Sequence, residues 1–371
     1  VCSSDLMRTG PGKAAKIAIE DVLQVKKGER VLIVTNPEQN VARISAALYD
    51  AAWNAGAETT LIVQPVKTQL QFAEKAVIHA IESEPDVFIS MSAEKLGKDY
   101  KRLNDPYEKD GQQFISTFHY LLWGKQSLRA FWSPSITEDL FIKTVPVDYG
   151  ELKERCRAIK AVLDKAVSVL VTAPGGTDIE IGIDGRSAFS DDGDFSKPGM
   201  GGNLPAGEIF ISPSVGTASG TVVFDGSIAV ERGALLIEEP ITAEVTDGFI
   251  TGIRGGEEAR TLQETITRAE NDSFTFEEQG KLKRGQAELY AKNARNIGEL
   301  GIGLNPAARL EGNMLIDEKA FRTCHLAIGH NYDRDAPALI HLDGVVRDPT
   351  IIAIDGAGKQ TKILERGVPA L

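Results

Sequence analysis

Three of the five histidines fall within seventeen residues, from His325 through His330 to His341. Imidazole and carboxylate are the usual donors to borderline divalent metals, and His341-Leu342-Asp343 offers one of each, two residues apart. On a strand, side chains i and i+2 leave the same face, so these two would address one ion. Glu208 follows a Pro-x-Gly turn and opens an apolar strand, and Glu299 is set among Ile297, Leu300 and Ile302. A carboxylate in such company needs a partner if it is buried. Asp317-Glu318-Lys319 and the glycine-rich acidic stretch from Asp191 to Gly202 complete the candidates. The acidic stretch lacks the alternating oxygens and distal bidentate glutamate of a calcium loop. Taken singly, most of these residues have ordinary explanations. A lone glutamate before a strand is usually an edge residue, Tyr332 a packing or surface residue, and His330 a turn residue. His79 and His119, on expected helices, read as structural or surface histidines.

The elements that must position these groups fall into two textures. The first half alternates helix-period segments with short β-branched runs. Helices are expected over 12–26, Val41 to Gly56, Gln69 to Ser83 and Phe114 to Gly124. Strands are expected at Arg30 to Thr35, Thr59 to Val63, Asp86 to Met91 and Leu128 to Trp132. Such alternation predicts an α/β N-terminal domain with a parallel sheet, over 7–165. It is Rossmann-like without the fingerprint: Asn36-Pro37-Glu38-Gln39-Asn40 follows the first strand, and no Gly-x-Gly-x-x-Gly is present there. Tyr149 to Ala166 reads as a boundary helix. Beyond it, short strands and many glycines predict an α+β C-terminal metal-binding domain over 166–371, with one long helical region at 257–300 broken near Asn271-Asp272-Ser273.

Composition narrows the function classes. The chain has 371 residues, 25% of them charged, with a net charge of −12. That acidity disfavours nucleic acid and anionic membrane as partners. No apolar run approaches the ~18–20 residues that span a bilayer. Cys2, Cys156 and Cys324 are too few and too odd for a disulfide framework, so a reducing cytoplasmic setting is expected. Residues 1–6 read as a leader before Met7, without the features of a signal peptide.

The segments Leu204-Pro205-Ala206-Gly207-Glu208, Gly298 to Pro306, Asp317-Glu318-Lys319, His325-Leu326-Ala327-Ile328-Gly329 and His341-Leu342-Asp343 occur in that order. Together they resemble the metal-dependent aminopeptidase family of aminopeptidase T and aminopeptidase S. The resemblance implies a pair of divalent metals, zinc or cobalt, held by Glu208, Glu299, His325, Tyr332, His341 and Asp343. It departs in a shorter gap between Glu299 and His325 and a much shorter one between Tyr332 and His341, where a loop lining the substrate cleft is missing. It implies a hydrolase, a metalloprotease that removes N-terminal residues from peptide substrates, and a homodimer. In that reading a water between two metals is the nucleophile, Glu208 or Glu299 shuttles its proton, and Tyr332 ligates or donates to the intermediate. A related branch of the fold is a mononuclear iron dioxygenase that opens dihydroxypyridine rings. It has a histidine where Glu299 stands and no glutamate at the place of Glu208, so the two carboxylates favour the peptidase. A purely structural site fits less well, since such sites are closed and cysteine-rich.

Overall fold

The structure is a computed structural model that describes residues 10–68, 71–103, 105–231 and 233–371. The leader at 1–6, Cys2, Met7 and the start of the helix expected from Gln69 lie outside them. Contacts divide the chain into two compact units. One takes the chain up to Lys153 together with Asp191–Ala206; the other takes Glu154–Ser190 and Gly207–Leu371.

In the first unit, strands β1 (Arg30–Thr35), β2 (Glu58–Val63), β3 (Val87–Met91) and β4 (Arg129–Trp132) form a parallel sheet. Helix α1 (Gln39–Asn54) connects β1 to β2, and α2 (Lys75–Glu82) leads to β3. After Arg30, β1 is buried along its whole length, as befits a β-branched run covered on both faces. Residues Gly201–Asn203 add a fifth parallel strand beside β4, although they lie far beyond the expected boundary at 165. Glycine makes this possible: a Cβ at Gly201 would fall 2.7 Å from the Ala130 carbonyl oxygen. The expected helix at 114–124 is a short α-turn, Thr117–His119, that continues as a π-helix, Tyr120–Gly124.

The second unit begins within helix α3 (Tyr149–Leu163), which stops before 166 because Ala166 already opens a strand. It contains two sheets. One has eight antiparallel strands, from Ala166–Thr172 to Val368–Pro369. The other positions the candidate donors. Its strands are β5 (Phe189–Asp191), β6 (Glu208–Ile211), β7 (Ser227–Val230), β8 (Gly233–Leu236), β9 (Ile297–Gly303), β10 (Thr323–Gly329) and β11 (His341–Arg347). They are ordered β8-β7-β11-β10-β9-β6-β5.

The helical region expected over 257–300 needs correction. Helix α4 (Glu257–Glu278) runs unbroken through 271–273, where the Ser273 hydroxyl donates back to the Ala269 carbonyl at 2.8 Å. A second helix covers Ala287–Asn293, and 297–300 belongs to β9. Three glycines in seven residues make a poor helix, whereas paired on both sides they make a fully buried strand. No helix among the described residues is long and apolar enough to cross a membrane.

Candidate metal centre

Strand register decides which side chains meet. Glu299 opposes Ala327, which opposes Asp343; Gly301 opposes His325; Gly329 opposes His341. On the other side of β9, Glu208 opposes Gly303 and Phe210 opposes Gly301. With two-residue alternation, Glu208, Phe210, Glu299, His325, His341 and Asp343 all leave one face of the sheet. Small residues between them leave room for the donors to converge. A Cβ at Gly301 would lie 2.0 Å from His325 Nε2, so the imidazole occupies the volume of the missing side chain.

The result is a tight group. His325 Nε2 is 3.0 Å from Glu299 Oε1 and 3.9 Å from Glu208 Oε2. His341 Nε2 is 3.3 Å from both Glu299 Oε2 and Asp343 Oδ1. One donor atom each from Glu299, His325 and Asp343 lies within 4.8 Å of the others. His325, Glu299, Glu208 and Asp343 are all buried. The orientation of His341 is set by the backbone: its Nδ1 lies 2.9 Å from the His330 carbonyl oxygen, which can only accept. Nδ1 therefore donates a proton to that carbonyl, and Nε2 is turned toward the two carboxylates.

The electrostatics follow from buried imidazoles and carboxylates held close together. Burial pushes His325 down, but the hydrogen bond and charge of Glu299 outweigh it and lift the imidazole to about 9. Burial also lowers His341, and Asp343 with Glu299 outweighs it, holding the ring well above its ordinary value. Burial alone would raise Glu299 and Asp343, yet the imidazoles hold both below the ordinary carboxylate range. For Glu208 burial prevails and raises the carboxyl despite Lys319 and His325. Lys319 is wholly buried, with its Nζ 3.1 Å from Glu208 Oε1 and in contact with Glu318. Burial lifts Glu318 to about 8.

The donor set fits a divalent metal. Glu208 Oε2 and His325 Nδ1 are buried without a hydrogen-bond partner among the described residues, and unpaired buried polar atoms are costly. Two imidazoles with carboxylates is also the donor chemistry of non-haem iron sites. Tyr332 stands at the rim. It is 48% exposed, with its ring 5.4 Å from that of His341 and 5.0 Å from that of Phe210. His330 supplies its carbonyl, and its ring lies 4.6 Å from that of His341. His79 is paired with Glu82, and His119 stacks on Trp123, both in the first unit. Asp317-Glu318-Lys319 was a candidate stretch without an assigned role, and two further contributors, the His330 carbonyl and Phe210, were not singled out from sequence. Only Phe210 left a local signal, two residues after Glu208 on one strand.

Fold and donors together define a mixed α/β protein with a candidate metal centre on an antiparallel sheet. Residues 135–328, more than half of the chain, match the family described as 2,5-dihydroxypyridine 5,6-dioxygenase, NicX, and the chain belongs to that family. The match contains Glu208, Glu299 and His325 and ends before Tyr332, His341 and Asp343. A 2,5-dihydroxypyridine 5,6-dioxygenase of Pseudomonas putida KT2440 is 33% identical over 112 residues, 30% of this chain and 32% of that protein. The aligned part thus spans about a third of the relative. The solved structure of 2,5-dihydroxypyridine dioxygenase from Pseudomonas putida KT2440 superposes with a TM-score of 0.69 at 18% identity, over 97% of this chain and 96% of that one. Wild-type AmpT from Thermus thermophilus gives 0.64 at 18% identity, over 98% and 100%. At such identities the two structures show the fold alone.

These matches overturn the expected hydrolase. The family and the curated relative both carry the name of a dioxygenase, so the aminopeptidase reading, with its protease and metalloprotease character, does not stand. The carboxylates were read as discriminating for two metals. Glu208, however, already has a cation in Lys319, so its presence alone does not call for a second ion.

Proposed function

We propose that this chain is a metal-dependent dioxygenase that opens the ring of a dihydroxylated pyridine or a closely similar N-heteroaromatic compound. The observation that carries the reading is the convergence of His325, His341, Asp343 and Glu299 in a chain of the dioxygenase family. His325, His341 and Asp343 would hold one iron(II), with Glu299 between the two imidazoles. Bound there, iron supplies the dioxygen and electron-transfer chemistry that no side chain can.

The chain's own groups do the rest. The His330 carbonyl fixes the His341 ring by holding the proton on Nδ1. Glu299 spans both imidazoles, with Oε1 toward His325 and Oε2 toward His341. Glu208 is anchored by Lys319 through Oε1, which leaves Oε2 without a partner on the side facing His325. That oxygen is the group positioned to take the proton of a ring hydroxyl as the substrate docks.

The test is metal analysis of protein purified without chelator, followed by oxygen uptake with 2,5-dihydroxypyridine. One iron per chain and one dioxygen consumed per ring lost are expected. Release of an amino-acid anilide without oxygen uptake would overturn the reading.

A further inference from the structure

Beside the donors runs a row of aromatic rings that metal binding does not need. Phe189 and Phe210 stack with centroids 5.3 Å apart and planes at 17°. Tyr332 tilts against Phe210 at 5.0 Å and meets the His341 ring edge-on at 5.4 Å and 73°. The row is therefore continuous from the surface to a candidate metal ligand. Its outer members are open, Phe189 at 42% and Tyr332 at 48% exposure. Strand geometry keeps it on the donor face: Phe210 is two residues from Glu208 on β6 and opposes Gly301.

We propose that Phe189, Phe210 and Tyr332 form a stacking ledge for the planar ring of the substrate, with Phe189 a specificity-determining residue. This rests on the dioxygenase reading above. A metal held by these donors would be met by the oxygen or nitrogen atoms of a ligand and would accept any small chelator. A flat heteroaromatic compound has, in addition, two π-faces, which the offset and edge-on arrangements of this row are suited to cover. The ledge thus separates aromatic from saturated chelators, a distinction the donors alone cannot make.

The experiment loads the full chain with redox-inactive zinc(II) and titrates it with 2,5-dihydroxypyridine and, separately, with acetohydroxamate, a chelator without a ring. Wild type is compared with Phe189→Ala, Phe189→Leu and Phe189→Tyr, and bound zinc is measured in each. The alanine and leucine variants should bind the pyridine about tenfold more weakly and the tyrosine variant close to wild type, by loss or retention of an aromatic contact. Acetohydroxamate affinity and zinc content should not change. Equal pyridine binding in all four proteins overturns the ledge, as does a parallel loss of acetohydroxamate binding, which would make Phe189 a support of the metal centre. Failure of wild type to bind the pyridine at all overturns the dioxygenase reading beneath it.

Discussion

His341 shows how much of this centre depends on single contacts. Its Nδ1–H is spent on the His330 carbonyl, and its Nε2 is shared between Glu299 and Asp343. His341→Ala removes a donor from the group while leaving the strand's backbone pairing intact. Metal content after dialysis should fall, with affinity lowered by at least about 100-fold, the upper end seen when only a ligand's hydrogen-bond partner is removed. Circular dichroism should not change. Part of this was legible in the sequence, because His-x-Asp on a strand needs only two-residue alternation to place both side chains together. The pairing of the Lys319 amine with Glu208 was not, although Asp317-Glu318-Lys319 stood out as a stretch. The amine meets Glu208 across 111 positions, and nothing local to either residue announces the pair.

Among the elements, β9 has the least freedom. Gly301→Ala would put a methyl group where the His325 imidazole lies, so the ring must move although every donor is still present. Metal uptake should be lost, and thermal unfolding should show a destabilisation of about 1–3 kcal/mol from overpacking. Gly298, Gly301 and Gly303 also explain why β9 was hard to read. Its first residues fell within an expected helix, since a glycine-rich strand lacks the β-branched signature that makes β1 plain. In the first unit, Asp99 anchors the turn at Thr117, accepting from its amide at 2.9 Å and its hydroxyl at 2.6 Å, and from the amides of Lys101 and Arg102. Burial pushes its carboxyl up, but these hydrogen bonds outweigh it and hold the group below its ordinary value. A lowered folded value means the stabilisation is complete above the unfolded value, about 3.9, and disappears as pH falls through the folded one. Asp99→Asn should therefore cost about 1–3 kcal/mol near pH 7, by loss of hydrogen bonds to a charged acceptor. The gap to wild type in denaturant titrations should close at more acidic pH.

At the scale of the molecule, the candidate centre belongs wholly to the second unit and is held in place by a ladder of backbone hydrogen bonds and a buried core. The sheet has reason to form without any ion. Treatment with a strong chelator should leave the far- and near-ultraviolet spectra unchanged. Restoring iron(II) or zinc(II) at 100–1,000 times the dissociation constant should add about 3–4 kcal/mol, read as a rise in the melting midpoint. The order of strands has a further consequence, for time. Glu208 pairs with Gly303, 95 residues later, and the other donors follow on β9, β10 and β11. His325, His341 and Asp343 meet across the adjacent strands β10 and β11, but Glu208 reaches them from far along the chain, and contacts of such long range form slowly. The complete donor set therefore assembles only once β6 has joined the sheet, unlike the short local site of a zinc finger. A cation that needs the whole set is a late clasp, prolonging the life of the folded chain more than it hastens its making.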